Sequence, residues 1–336
     1  MSRTIVLIGD GAMPTICAQL LSGKGLTLRL YSAFAANAAE LDRARENRRY
    51  LPGVPLPGEL EITADPARAF RAASLAVAAV PTQFTRRWWE TLRPHCPDGL
   101  PVCSAAKGIE NGTLLRPTQI IADVLTGSPG GRWPMAALSG PCIAREIAAR
   151  QPATAVAASG DPQLAHAIQD LFTCSYFRVY TNPDVIGVEL AGAIKNVIAI
   201  AAGILDGLAV GDNAKAALLT RGLAEITRLG VELGGRRETF AGLAGLGDLV
   251  TTCISPHGRN RSFGEAVGKG EPAEAVLART ASVVEGVATT RSVMALAAAH
   301  KVDMPITAAV HAVLFEGKAP AAAVSDLMAR PSKREY

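Results

Sequence analysis

The sequence predicts an α/β protein of two domains: a mainly parallel sheet with helices on both faces over residues 1–181, then an all-α domain over 182–336. Three observations predict it. Short apolar, β-branched runs alternate with helical stretches through the first half. "IVLIGDGAMPT" (5–15) turns an apolar run into a glycine loop at the first strand-to-helix junction. After "TNPDVIG" the apolar spacing becomes helical, with no convincing strand.

The expected strands, in order, are "TIVLIG", "LTLRLY", "LEITAD", "LAVAAVP", "PVCSAA", "MAALSG", "TAVAAS" and "FRVYT". Between them "NAAELDRARENRRY" and "DPQLAHAIQDLF" read as helices. Strands separated by helices imply βαβ units, whose ligands bind beyond the carboxyl ends of the strands. In the second half "VELAGAIKNVIAIAAGILDGL", "NAKAALLTRGLAEITRLGVELG", "TTRSVMALAAAH" and "TAAVHAVLFEG" carry helical spacing. Asn182-Pro183-Asp184 can start a helix, which places the boundary near 182.

A chain of 336 residues with 49% hydrophobic content supports two large cores. Its 19% charge and 5% aromatic content exclude a disordered or base-stacking chain. The net charge of +4 suits an anionic small molecule and is too small to argue for nucleic acid or a membrane surface. Six cysteines without C-x-x-C spacing read as reduced thiols of a cytoplasmic protein, with no metal site. The N-terminal apolar run is too short for a signal peptide. No apolar stretch is read as approaching the roughly 20 residues that span a bilayer, so no integral membrane segment is expected.

The dinucleotide fingerprint G-x-G-x-x-G reads here Gly9-Asp10-Gly11-Ala12-Met13-Pro14. The first glycine makes the tight turn, and the second lets the backbone approach a pyrophosphate. Pro14 stands where the third glycine lets helix and strand pack closely, and falls in the first helical turn, where a missing N–H is tolerated. Asp10 would repel a pyrophosphate unless its side chain points away. Alone, the loop reads equally as a glycine turn without a ligand.

The second half is more specific. "ELAGAIKNVIAIAAGILDGLAVGDNAKAALLTRGLAEITRLG" and "TFAGLAGLGDLVTTCISPHGRNRSFG", with "AAKGIENG", "LSGPCIAREIA", "VVEGV" and "MPI", closely resemble the bacterial-type NAD(P)-dependent glycerol-3-phosphate dehydrogenase family. The resemblance runs in order from the first strand to about residue 317. It implies a Rossmann-type domain followed by a helical one. It also implies interconversion of sn-glycerol 3-phosphate and dihydroxyacetone phosphate with NAD or NADP, supplying glycerophospholipid synthesis. A homodimer acting on a small phosphorylated substrate is the expected assembly.

By resemblance Lys195 is the proton acceptor and donor, and Asp248 lies beside it and the substrate hydroxyls. Burial among Ala, Gly and Ile would lower the lysine pKa towards neutrality. Alone, Lys195 reads as a lysine reaching for the helix end or pairing with Glu189, and Asp248 as an N-cap. Lys107, just after "PVCSAA", would touch both substrate and cofactor and polarise a carbonyl; alone it is a solvated loop residue. Arg259 and Asn260 in "HGRNRSFG" would hold the substrate phosphate, Arg259 also reaching the cofactor; alone they are a basic surface turn. The resemblance further implies substrate contacts at Gly140, Cys142 and Gly258. It implies cofactor contacts at Gly9, Gly11, Ala12, Met13, Ala144, Val283 and Glu285, with Thr252 a further polar contact.

The departures cluster around the cofactor. Ala12 and Met13 replace a usual Ser and aromatic, Cys142 a usual Ser or Thr, and Gly258 a usual Ser. The second strand ends in Tyr31, Ser32 and Ala33, which offer neither the acid expected for NAD nor an Arg for NADP. Cys142 and Gly258 leave open another phosphorylated polyol or ketose as substrate. The unusual loop leaves open a dinucleotide-binding sensor without turnover.

Overall fold

The structure, a computed structural model, describes residues 3–128, 131–280, 282–332 and 334–335. Eight strands form one sheet: β1 (Thr4–Ile8), β2 (Thr27–Tyr31), β3 (Glu61–Thr63), β4 (Ala73–Ala78), β5 (Val102–Ser104), β6 (Met135–Ser139), β7 (Ala153–Ala158) and β8 (Phe177–Asn182). Their order is β3-β2-β1-β4-β5-β6-β7-β8, and every pairing is parallel except β6 with β7. Between them lie α1 (Ala12–Leu21), α2 (Ala35–Ala44), α3 (Pro66–Phe70), α4 (Thr82–Leu92), α5 (Pro117–Thr126), α6 (Ala144–Ala148) and α7 (Pro162–Phe172).

β1 is buried along its whole length because both faces of the sheet are covered. Ile5 and Leu7 pack with Ile16 and Leu20 of α1 and Phe172 of α7; Val6 and Ile8 pack with Trp89 of α4 and Ile121 of α5. The chain runs outward from β1 to β3, then crosses back to β4. The crevice beyond β1 and β4 is therefore a topological switch point. The helical reading of 37–50 holds only as far as Ala44, since Arg45 is left-handed (φ 50°) and ends α2.

The second domain holds α8 (Val185–Gly207), α9 (Asp212–Glu232), α10 (Arg237–Ala241), a π-helical turn at Leu243–Gly247, and α11 (Asp248–Ile254). After these come α12 (Arg259–Gly268), α13 (Ala273–Arg279), α14 (Glu285–Ala299), α15 (Pro305–Phe315) and α16 (Pro320–Met328). Asp184 caps α8 by accepting from Gly187 N (2.8 Å), two residues after β8 ends. α8 corrects one expectation: its 23 residues contain an 18-residue window of mean hydropathy 1.8, long and apolar enough to cross a bilayer. Glu189, Lys195, Asn196 and Asp206 are the polar residues within it. The helix is instead the core of the domain, with 89% of that apolar window buried inside the molecule. Its backbone touches that of α12. A Cβ on Gly203, Gly207, Gly264 or Gly268 would overlap backbone atoms of the partner helix.

Candidate active site

The opening loop settles how the proline is tolerated. Gly9 has φ +128°, and a Cβ there would come within 3.0 Å of both Ala79 O and Pro14 Cγ. The absent side chain makes room for the Pro14 ring, which is buried as the third residue of α1 and needs no N–H there. Gly11 is the N-cap of α1 with no side-chain cap, and no acid follows in the first turn. A Cβ on Gly11 would meet nothing within 4 Å. The free N–H groups of that turn and the open space before them fit a pyrophosphate. Asp10 turns away: Oδ2 accepts from Ser32 Oγ (2.7 Å) and Asn37 Nδ2 (2.9 Å), at the end of β2. Asn47 braces the loop, donating to Asp10 O and Gly11 O. Ala12 and Met13 open α1, and Met13 lines a narrow cleft with Lys107, Ser139 and Cys142.

Lys107, Lys195 and Asp248 meet in one cluster. Lys107 follows β5 and donates to Gly140 O (3.0 Å) and Asp248 Oδ2 (2.6 Å). Lys195, in the middle of α8 and 5% exposed, donates to Asp248 Oδ1 and Thr252 Oγ1. Asp248 is the first residue of α11, but its N-cap is Gly247 and the carboxylate caps nothing. The carboxylate is 2% exposed and wholly committed to the two lysines and Thr252 Oγ1 (3.2 Å). Gly140, with φ +136°, packs its Cα against Ala155 and Thr154 O, where no side chain fits.

Two cations around one buried carboxylate have unlike proton affinities. Burial lowers the Lys195 pKa to about 8; Lys107 pushes it the same way, and Asp248 only partly opposes. Burial also acts against the Lys107 charge, but Asp248 outweighs it and holds that ammonium above its ordinary value. Burial would raise Asp248, yet the two lysines keep it ionised, below the usual carboxylate range. Cys142, its thiol 3.7 Å from Thr154 O, is raised to about 11 by burial and stays neutral.

A second chain of contacts links the phosphate candidates to the sheet. Asn196 Nδ2 donates to Lys107 O (3.4 Å), while its Oδ1 accepts from Asn260 Nδ2 (3.0 Å). Asn260 Oδ1 accepts from Gly286 N (2.9 Å), and Glu285 Oε1 accepts from Thr82 N (3.0 Å). Burial raises the Glu285 carboxyl to about 7. Arg259 is exposed, donates to Val283 O (3.2 Å) and has no carboxylate partner among the described residues. Gly258 caps α12, and a Cβ there would lie 2.9 Å from Thr252 O, so this path has no room for the usual serine unless it shifts. Ala144 opens α6, just beyond Gly140 and Cys142.

Three buried oxygens near these residues, Ser139 Oγ, Thr82 Oγ1 and Glu285 Oε2, have no hydrogen-bond partner among the described residues. They fit a polar ligand lying across the ends of β4 and β6. Sequence reasoning missed Ser139, Thr82, Asn196 and Asn47. Their signals were a hydroxyl at or just after a strand end, and an asparagine beside the lysine in an otherwise apolar helix. A surface cavity of about 840 Å³ lies elsewhere, along β7, β8 and α7, and none of the site lysines lines it.

Comparisons with known proteins identify the family. Residues 4–165 match the family described as NAD-dependent glycerol-3-phosphate dehydrogenase N-terminus, and residues 184–325 match its C-terminus. A glycerol-3-phosphate dehydrogenase (NAD(P)+) of Pelotomaculum thermopropionicum is 47% identical over 335 residues, covering 100% of this chain and 95% of the relative. One from Streptomyces coelicolor is 47% identical over 337 residues, covering 100% and 99%. The crystal structure of glycerol-3-phosphate dehydrogenase from Coxiella burnetii superposes with TM-score 0.93 at 37% identity, covering 98% of this chain and 99% of that one. The chain belongs to the NAD-dependent glycerol-3-phosphate dehydrogenase family.

Proposed function

We infer that the chain interconverts sn-glycerol 3-phosphate and dihydroxyacetone phosphate with NAD or NADP, and that Lys195 carries the proton. One observation carries the assignment of roles. An ammonium has three N–H groups. Lys195 commits two, to Asp248 and Thr252, and Lys107 commits two, to Asp248 and Gly140. Lys195 is left with one N–H for a ligand, and the third N–H of Lys107 lies within reach of the Lys195 amine in the same crevice.

When bound, the dinucleotide supplies or accepts the hydride at the central carbon of the substrate. Lys195 gives its proton to the carbonyl oxygen during reduction and, as the neutral amine, takes it back during oxidation. Asp248 orients the amine. Lys107, held cationic, stabilises negative charge on the same oxygen as it develops. Arg259 offers its guanidinium to the substrate phosphate. Asn260 keeps one N–H beyond its bond to Asn196 and adds a neutral donor. The N-terminus of α1, with Gly9, Gly11, Ala12 and Met13, holds the pyrophosphate. Ala144, Val283 and Glu285 border the remainder of the cofactor, and Gly140, Cys142 and Gly258 line the substrate side. The enzyme works in the cytoplasm as a homodimer and supplies glycerol phosphate for glycerophospholipids.

The test is oxidation of NADH and NADPH with dihydroxyacetone phosphate, beside dihydroxyacetone and a panel of other phosphorylated ketoses. Strong preference for dihydroxyacetone phosphate is expected. Comparable turnover of dihydroxyacetone would remove the phosphate assignment, and a better ketose phosphate would replace the substrate. Cofactor binding without any turnover would leave a sensor.

A further inference from the structure

We propose that Asp10 selects NAD over NADP, by presenting from the glycine loop the carboxylate that the second strand lacks. The proposal rests on the dehydrogenase reading above. In folds of this kind the end of β2 faces the adenosine ribose. An acid there accepts from the ribose hydroxyls, while an arginine accommodates a 2′-phosphate. Here that end is Tyr31, Ser32 and Ala33, with no charge of its own. The Asp10 side chain reaches across to it.

The carboxylate is fixed on two sides. Its Oδ2 accepts from Ser32 Oγ (2.7 Å), on the residue that follows β2, and from Asn37 Nδ2 (2.9 Å), in the first turn of α2. Its main chain is held by Asn47, which donates to Asp10 O (2.9 Å). The other oxygen, Oδ1, has no hydrogen-bond donor among the described residues, and Asp10 is only part-buried. One oxygen is thus anchored and the other is available to a ribose hydroxyl. A hydroxyl can donate to it. A 2′-phosphate cannot, and meets its negative charge instead.

Among the described residues no lysine or arginine pairs with Asp10. Of the two arginines that follow Asn47, Arg48 pairs with Glu46 and Arg49 lies over the Tyr50 ring, 5.1 Å from its centroid. The same hydrogen bonds explain how an acid is tolerated inside a pyrophosphate loop, since they turn it towards the ribose.

Calorimetric titration of ADP-ribose and 2′-phospho-ADP-ribose, which carry no nicotinamide and cannot react, reads the adenosine half alone. The parent is expected to bind ADP-ribose at least tenfold more tightly. Asp10→Asn should weaken ADP-ribose several-fold and strengthen the 2′-phosphate compound, bringing the ratio near one. Ser32→Ala, which frees the carboxylate from one anchor, should move the ratio part of the way. Ala33→Arg, with Asp10 in place, should rescue the 2′-phosphate compound alone. It also serves if Asp10→Asn does not fold. A parent that binds both compounds equally, or prefers the phosphorylated one, overturns the proposal. So does an Asp10→Asn that weakens both compounds by the same factor, which is what a merely structural role would do. Failure to bind either compound, together with no reduction of dihydroxyacetone phosphate, would instead sink the dehydrogenase reading.

Discussion

Glu189 pairs with Arg116, across from the sheet domain, and leaves Lys195 further along the same helix to Asp248. The Glu189 carboxylate also accepts from Thr118 N (2.8 Å) and Thr118 Oγ1 (2.6 Å), so it fastens the start of α5 to α8. The Glu189–Arg116 bond and the Lys195–Asp248 pair are therefore separate features of one helix. The alternative partner for Lys195 is taken.

Lys195→Met is expected to lower turnover by about 10²–10⁴-fold, the usual contribution of a positioned acid or base, with the fold and NADH affinity retained. With its pKa near 8, the amine is neutral above that value and ammonium below it. Oxidation of glycerol phosphate, which needs the amine, should rise with pH through about 8, and reduction, which needs the ammonium, should fall over the same range. Single-turnover rates in both directions check this. A variant keeping more than a tenth of the chemical rate would move the proton to another group.

Arg259→Ala should raise the KM for dihydroxyacetone phosphate by an amount worth about 1.5–3 kcal/mol, the range for a hydrogen bond to a charged group. The fold should be unaffected, because Arg259 is exposed and its side-chain hydrogen bond among the described residues is to Val283 O. Steady-state kinetics beside a thermal melt would separate the two effects. An unchanged KM would place the phosphate elsewhere.

Gly11→Val and Pro14→Gly should part company. A side chain at Gly11 meets open space in the free protein, so stability should hold while cofactor affinity collapses. Pro14→Gly should leave affinity nearly unchanged and cost roughly 0.4–1 kcal/mol through the freer unfolded chain. Loss of the ring that packs on Gly9 would add to that cost. Titration of NADH and urea unfolding of both variants give the answer. Parental affinity in Gly11→Val would mean the pyrophosphate binds elsewhere.

Glu225 makes stability depend on pH. It is buried, and burial raises its pKa to about 7, against the hydrogen bonds it accepts from Ile306 N and Thr307 N at the start of α15. The unfolded chain releases this proton near 4.5 and the folded one near 7. The stabilising contribution is therefore complete below about 4.5 and is lost as pH rises to 7. Over that window the stability gap between parent and Glu225→Gln should shift towards the variant by up to about 3 kcal/mol. Urea midpoints at pH 5 and 8 measure it. Parallel curves would mean that Glu225 ionises normally.

The eight strands were legible because a sheet covered on both faces needs continuous apolar runs, and TIVLI or ATAVAA admits little else. Lys195 and Asp248 were legible through resemblance, since neither spacing nor periodicity brings together residues from α8 and α11. What the sequence hid was set by distant contacts. The 37–50 run reads as helix, yet it breaks after Ala44, and Asn47 beyond the break ties down the glycine loop. Asp10 looked like a threat to the pyrophosphate because its partners, Ser32 and Asn37, lie a whole βα unit away. α8 carries polar residues inside a core helix, Glu189 tying it to α5 and Lys195 meeting Asp248, and only the fold shows that they are buried there.

The glycines that let α8 and α12 touch also act as a ruler. Lys195 and Asn196 ride on one helix, and Arg259 and Asn260 begin the other. Backbone lies against backbone at Gly203 and Gly264, so the spacing of the two helices is set there by the main chain. Side-chain rotamers, which adjust, do not set it. Widening that spacing would require prying the two helices apart, and not merely trimming side chains between them.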